Sequence, residues 1–436
     1  GETFSKKNFM PSEALTFPTA TANSGYTFKG YNDGENNLYQ PGEVYSFAEG
    51  LTENEKITFT AVFEKNVGTY RDLPIISVTT KDDYVETVDK EKSVDAWIST
   101  YNTDLIDMNL AGIIANGGEL RGRGNSTWNL AKQPYRLKFG KKTSLLTNTD
   151  DKEKKWVLLA DYADRTLLRN KTVFDLASKL DNIPFASKTQ SVELYINGEY
   201  RGVYLVAQQT EDKDKRAGIG AVADDDPYDA NFTATDDELK FLVELDAGAK
   251  DSNEELYCDA YYANDKQKYY VVKSGAAKDP NGSFNQTDSN NVYIKRIKQY
   301  LDDVNLAIES GNESKIRQYI DVPSFVDMYI LQEFADNADV GAGSFYLSKY
   351  SDGKYNNKLT ASPPWDFDRA FGNDQRCLDP TKLYVAKGEY EADGTNVSKW
   401  YMHLCSQDWF VREIEKRFTA LEDSGAFDEI KNADTY

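Results

Sequence analysis

Pro364-Trp365-Asp366-Phe367-Asp368-Arg369-Ala370-Phe371-Gly372-Asn373 is the stretch on which the reading of this chain turns. Carboxylates alternate with large aromatics. In an extended segment alternate side chains share a face, so Asp366 and Asp368 are expected on one side and Trp365 and Phe367 on the other. The aromatics would anchor in a core and the carboxylates would meet in a cleft. Two close carboxylates repel unless a cation sits between them. Oxygen ligands without His or Cys suit a hard ion such as Mg²⁺, Mn²⁺ or Ca²⁺. The same residues also fit a buried turn whose Asp side chains bond backbone amides, and taken alone they leave both readings open.

Composition narrows the function classes. The chain has 436 residues, room for two or three domains, and 40% apolar content supports a full core. A formal net charge of −21 argues against nucleic acid, whose phosphates need clustered Lys and Arg, and against an anionic membrane surface. With 3 Cys and 1 His, a Cys/His zinc site is excluded. His403, in Met402-His403-Leu404-Cys405, reads as a half-buried structural residue. The odd Cys count leaves at most one bridge among Cys258, Cys377 and Cys405. No run reaches the length of a membrane span. No signal-peptide pattern opens the chain, and because it starts on Gly1-Glu2-Thr3, without Met, that absence carries no weight.

Outward from the Asp stretch, the order of elements is α+β. Residues 1–66 read as a small β-rich unit of short apolar-aromatic runs and turns; in its last run Ile57, Phe59, Ala61 and Phe63 share a face. A linker follows, and a second domain starts with a strand at Leu73–Val78. Asn197-Gly198 separates two strands as a hairpin signal. Asp164 is placed to cap a helix from Arg165 to Leu180. Glu211 to Glu238 is acidic and reads as an exposed loop, with a calcium site as the lesser alternative. Strands at Phe241–Asp246 and Tyr269–Lys273 come next. Ile294, Ile297, Leu301, Val304 and Ile308 form a helical stripe. Pro323 opens another helix, which ends at Asp336-Asn337-Ala338-Asp339. A strand at Ser344–Tyr350 leads to the Asp stretch, and a last helix runs from about Asp408 to Leu421. Strands first and helices later, in one domain, give the α+β class.

One island opposes the overall charge. From Glu119 to Lys142 there are seven Lys/Arg and one acidic residue, a local +6. It spans the Gly-rich loop Arg121-Gly122-Arg123-Gly124-Asn125-Ser126 and the strand Tyr135-Arg136-Leu137-Lys138-Phe139. Gly-rich backbone lets amides approach phosphate oxygens and a fixed Lys supplies a point charge. In the strand, Tyr135, Leu137 and Phe139 face a core while Arg136 and Lys138 face the other way.

Two resemblances follow. Residues 1–66 resemble an internalin-type B-repeat, a secreted β-grasp-like module, through Gly25-Tyr26-x-Phe28-x-Gly30-Tyr31, Tyr39-x-Pro41-Gly42 and Thr60-Ala61-Val62-Phe63-Glu64. Residues 72–436 resemble the CotH kinase family, spore-coat protein H and its relatives, with an atypical protein-kinase-like fold. The matching pieces are Arg121 to Trp128, Pro134 to Phe139, Leu168-Arg169-Asn170-Lys171, Ile196 to Tyr204, Glu244-Leu245-Asp246 and Trp365-Asp366-Phe367-Asp368. The resemblance implies two lobes, a β-rich one at about 72–210 and a helical one at about 240–436. It implies ATP-dependent phosphoryl transfer to Ser or Thr of a protein, with Mg²⁺ or Mn²⁺ and Ca²⁺ as a further candidate ion. By position, Lys138 would hold the nucleotide phosphates and Arg121, Arg123, Gly124, Asn125 and Ser126 would cover them. Asp339 would face the substrate hydroxyl, Asp366 would bind the metal, and Asp368 would assist. The two resemblances together imply a bacterial surface or extracellular protein, with assembly partners there and no membrane insertion.

The chain departs from the family pattern in three places. Ser344 stands where a metal-binding Asn is expected. Gln208 stands where the nucleotide cleft usually carries Glu. The helix expected from Arg165 to Leu180 has no Glu to pair with Lys138, leaving Asp175, Asp161 and Asp164 as candidates. The resemblance also implies a longer lower lobe beyond the last helix. These departures motivate the rival expectation, a catalytically weak pseudokinase acting as a surface binding module. A glycan-binding surface built from the 29 Tyr and 6 Trp ranks below both.

Overall fold

The computed structural model describes residues 14–22, 26–33, 37–46, 57–65, 73–81, 88–101, 118–124, 126–146, 149–246, 256–260, 268–282, 291–337, 339–341, 343–386 and 398–431. It divides into two compact units, Gly1–Thr147 with Ser191–Tyr204, and Asn148–Gln190 with Leu205–Tyr436. In chain order the elements are β1 (Ala14–Thr16), β2 (Tyr26–Asn32), β3 (Leu38–Tyr39), β4 (Val44–Ser46), β5 (Thr60–Lys65), β6 (Ile75–Thr80), β7 (Val94–Tyr101), β8 (Gly118–Gly122), β9 (Tyr135–Thr143), β10 (Glu153–Leu159), α1 (Arg169–Ala177), β11 (Thr189–Ile196) and β12 (Glu199–Gln208). Then come β13 (Phe241–Asp246), β14 (Tyr257–Ala260), β15 (Lys268–Ser274), α2 (Val292–Glu309), α3 (Glu313–Tyr319), α4 (Val322–Phe334), β16 (Gly343–Lys349), β17 (Leu359–Ala361), α5 (Lys399–Cys405), α6 (Asp408–Asp423) and α7 (Asp428–Lys431). The mixed α+β class expected from the sequence is present.

In the first unit, β1 pairs with β4 and the order β3-β2-β5 forms a second small sheet. Phe17, 2% exposed, is the centre of this region, with Tyr39 at 4.8 Å and Phe59 at 4.9 Å between ring centroids. Ile57, Phe59 and Ala61 are half-buried, whereas Phe63 departs from the expected shared face and stays 37% exposed. The β2–β5 register sets it opposite Phe28, with ring centroids 5.3 Å apart. Further along, β6 pairs antiparallel with β7 and parallel with β11, while β7, β8 and β9 continue antiparallel. Strands β11, β6, β7, β8 and β9 are neighbours in that order. In β9 Tyr135, Leu137 and Phe139 are buried and Arg136 and Lys138 are half-exposed, the alternation the sequence predicts.

In the second unit an antiparallel sheet of order β14-β15-β13-β16-β17 shares one core with the helices. All five residues of the predicted α2 stripe are buried there. Each such aliphatic side chain contributes roughly 1.5–3 kcal/mol through removal of apolar area from water. Asn291 starts α2 by accepting from the N–H groups of Tyr293 and Ile294, and Asp321 does the same for α4 through Ser324 N–H. Helix α1 is shorter than the predicted Arg165–Leu180 span. The Asp164 carboxylate accepts from the N–H groups of Thr166, Leu168 and Arg169, which ties residues 164–168 into a turn and delays the helix. The predicted exposed loop from Glu211 to Glu238 is only partly so: Arg216 is buried, between Asp151 at 2.9 Å and Glu211 at 2.7 Å. No disulfide joins Cys258, Cys377 and Cys405, and His403 is half-buried. Among the described residues no helix is long and apolar enough to cross a membrane.

A buried ion pair fixes α4 to α6. Asp327, fully buried, accepts from Arg417 Nε at 2.6 Å and Nη2 at 2.9 Å, and from the Asn182 side chain at 3.0 Å. Removing one partner strands the other charge in the interior. Arg417→Ala is therefore expected to cost about 3–5 kcal/mol in denaturant unfolding, and adding Asp327→Asn to it should recover part of that loss.

Candidate active site

The Asp stretch is anchored by the start of α1. Asn170 is buried and bonds in two directions. Its Oδ1 accepts from Phe367 N–H at 2.7 Å, and its Nδ2 donates to Asp161 Oδ1 at 2.7 Å. Arg169 Nε donates to the Ala370 carbonyl at 2.8 Å, while its Nη1 bonds Asp164. Burial pushes the Asp164 carboxyl up, but the N–H of Arg169 and the other donors around it outweigh that and lower its pKa.

The predicted division of faces holds, by a different route. Trp365 and Phe367 are buried, Trp365 packing at 5.5 Å from the Phe174 ring of α1. Asp366 is exposed and Asp368 half-buried. The backbone is not extended at Asp366, which sits in the left-handed region with φ 67°. Asp161 (φ 46°) and Ser344 (φ 54°) are left-handed as well. Such positions cost non-glycine residues about 1–3 kcal/mol each and persist where the surroundings over-determine them. Ser344 Oγ donates to Asp366 Oδ2 at 3.1 Å.

Electrostatics single out Asp368. Burial, then the nearby Asp366 and Asp161 carboxylates, push its pKa up to about 8; Arg369 opposes the shift and Asp339 adds to it. Asp368 thus feels the charge of Asp366, Asp161 and Asp339, all in the second unit. Asp339 follows the end of α4, where its N–H donates to Asn337 Oδ1 at 3.1 Å, and its Oδ1 accepts from Arg376 at 2.6 Å. Among the described residues, no group of three or more carboxylate, His or Cys side chains is arranged to hold a metal by itself. A pair of carboxylates and a hydroxyl still fits Mg²⁺, which usually takes one or two carboxylates and completes its shell with water and substrate phosphates.

The first unit holds the basic island from Glu119 to Lys142. Lys138 Nζ bonds Glu119 Oε1 at 2.7 Å, and the two are direct partners across β8 and β9. None of the three candidates weighed from the sequence is its bonded partner. Asp175 bonds Lys171, Asp164 bonds Arg169, and Asp161 accepts from Asn170. Arg121 and Gly122 end β8, and Arg123 N–H donates to the Pro134 carbonyl at 3.2 Å. Gly124 has φ 87° and Ser126 begins a short 3₁₀ turn; Asn125 lies outside the described residues. At Gly122 an added Cβ would sit 2.4 Å from the Trp128 ring, so packing against Trp128 itself requires a glycine there.

Gln208 is buried in the second unit and committed at both amide atoms. Its Oε1 accepts from Lys188 N–H at 2.8 Å and its Nε2 donates to Asp151 Oδ2 at 3.0 Å. Sequence reasoning gave no role to Glu119, Asn170, Arg369 or Arg376. For Arg169 and Asn170 the signal was an Arg-Asn pair at a helix start, polar residues where a first turn would pack on a core.

The pH dependence of stability follows from Asp368. In the unfolded chain it ionises near the ordinary value of about 4. Folded, it holds its proton up to about 8. Between those values the folded state binds more protons, so this group's contribution to metal-free stability falls as pH rises from about 4 to about 8, then levels. Unfolding at about pH 5 and about pH 8.5 should show that fall in the wild type and less of it in Asp368→Asn, with Mg²⁺ restoring wild-type stability at the higher pH.

A search of curated proteins finds no match to this chain. A family model described as CotH kinase protein matches residues 120–428, a span that takes in Lys138, Gln208, Asp339, Ser344, Asp366 and Asp368. That span is well over half of the sequence, and the chain belongs to the CotH kinase family.

Proposed function

We propose that this chain is an atypical protein kinase that transfers the γ-phosphate of ATP to a Ser or Thr hydroxyl of a protein, with a divalent cation. The observation that carries the reading is the Asp366–Asp368 pair, in which burial and neighbouring carboxylates leave Asp368 protonated up to about 8. That is the electrostatic signature of a place suited to a cation. Asp366, Asp368 and the Ser344 hydroxyl would hold it; once bound, the ion offsets the charge on the triphosphate oxygens. Lys138, oriented by Glu119, would neutralise nucleotide phosphates. Asp339 would orient the acceptor hydroxyl and take its proton. The hydroxyl oxygen bonds the γ-phosphorus, the bond from that phosphorus to the β–γ bridging oxygen breaks, and ADP leaves with the electron pair.

The wider organisation is part of the same proposal. Residues 1–66 would be a B-repeat-like module and 72–436 a two-lobed kinase domain, carried by a bacterial surface or extracellular protein with spore-coat-like assembly partners. A second reading, a nucleotide- or metal-binding module without turnover, is favoured by two details. Gln208 is committed to Asp151 and Lys188, and Ser344 gives a short hydroxyl where an amide is expected.

Incubation with γ-labelled ATP, Mg²⁺ or Mn²⁺ and a protein acceptor tests the choice. Transfer is expected from the wild type and only background from Asp366→Ala; equal signal from both defeats the kinase reading. Stabilisation by ATP with metal, about 2.7 kcal/mol at a hundred times Kd, without transfer supports the second.

A further inference from the structure

Beyond the Asp stretch, Asp374-Gln375-Arg376-Cys377 forms a small charged turn to which the function above gives no role. Asp374 caps it, its Oδ1 accepting from Arg376 N–H at 3.0 Å. The same carboxylate takes the Arg376 guanidinium as a fork, Nε to Oδ1 at 2.8 Å and Nη2 to Oδ2 at 2.8 Å. Such bidentate pairs fix direction as well as charge. The Arg376 bond, ahead of other causes, holds the Asp374 carboxyl down at about 2.

The fork aims the guanidinium onward. Arg376 Nη2 also donates to Asp339 Oδ1 at 2.6 Å. Arg369 approaches the same two carboxylates more loosely, at 3.4 Å from Asp374 Oδ2 and 3.7 Å from Asp339 Oδ2. Its side chain is 53% exposed, against 20% for Arg376. Arg376 is therefore the firm member of the ring and Arg369 the adaptable one. Capping of the 374–377 turn is complete without Asp339, so the third bond needs its own account. Asp339 presents its two oxygens differently: among the described residues, Oδ1 meets Arg376 at hydrogen-bond distance and Oδ2 meets only the more distant Arg369.

We propose that Arg376 is a positioning residue for Asp339: held by Asp374, it pins Oδ1 and turns Oδ2 towards the acceptor hydroxyl. The idea rests on the reading of Asp339 as the group that meets that hydroxyl. A misplacement of about 1 Å in such a group costs on the order of 10²-fold in rate.

The test is steady-state kinetics of protein phosphorylation with Mg²⁺-ATP for wild type, Arg376→Ala, Arg376→Lys and Asp374→Asn, each checked for native circular dichroism. Arg376→Ala should lower kcat by about 10²-fold with KM for ATP little changed, since the lost interaction is one of orientation. Arg376→Lys keeps the charge but cannot fork, and should fall between the two. Asp374→Asn loosens Arg376 without removing it and should lower kcat in the same direction. Should the Ala variant fail to fold, the Lys and Asn variants decide. An active wild type with kcat unchanged in the folded variants overturns this inference and leaves the kinase reading standing. A loss confined to KM for ATP overturns it too, because Arg376 would then be serving the nucleotide. A wild type without transfer overturns both.

Discussion

Two carboxylates separated by one buried phenylalanine set the terms for the second unit. Phe367 is buried while Asp366 is exposed and Asp368 half-buried, and the backbone reaches that division through Asp366 in the left-handed region, a conformation that an L-residue resists. The strain is tolerated because Asn170 accepts the Phe367 amide and Arg169 holds the Ala370 carbonyl. The first turn of α1 is thus a clamp on the acidic stretch as much as a helix. Its buried polar side chains are satisfied on both sides, the condition under which buried polar groups rigidify a structure rather than weaken it.

The same logic recurs around the cluster. Asn337 orients the chain at Asp339 through its own amide, bonding Gln332 on one side and the Asp339 N–H on the other. Asp164 gathers three backbone N–H groups and a guanidinium. Arg216 sits between Asp151 and Glu211 with Gln208 beside it. One place among the described residues combines burial with several neighbouring carboxylates strongly enough to push a carboxyl up to about 8, above the about 6 reached by Asp302 and Asp336. That place is Asp368. A divalent cation would relieve it, and a triphosphate would complete the ion's oxygen shell.

Much of the framework was legible in the residues because it depends on short-range periodicity. The α2 stripe, the Asn197-Gly198 hairpin with both residues at positive φ, and the alternation of β9 each come from spacing that needs no knowledge of distant partners. The Trp-Asp-Phe-Asp pattern gave the right faces for the wrong backbone, since alternate burial can be reached through a left-handed turn as well as through a strand. Strand β10 escaped notice because its charged start, Glu153-Lys154-Lys155, hides the apolar Trp156–Leu159 run. The parallel pairing of β6 with β11 could not be read either, because register between strands so far apart in sequence is a tertiary property. The partner of Lys138 was missed for the same reason: Glu119 becomes its neighbour only through the β8–β9 register. Gly122 shows the limit of motif reading. A glycine that suggests a phosphate loop is also required by a tryptophan ring lying against it.

The charge state of one carboxyl, Asp368, decides whether a cation belongs beside Asp366. Carbon-13 carboxyl NMR of the full chain, with the Asp368 signal assigned by its loss in Asp368→Asn, can follow that group through a pH titration with and without Mg²⁺. The predicted result is a metal-free midpoint near about 8 that moves down when Mg²⁺ is added. A midpoint in the ordinary carboxylate range near about 4, indifferent to Mg²⁺, would contradict it.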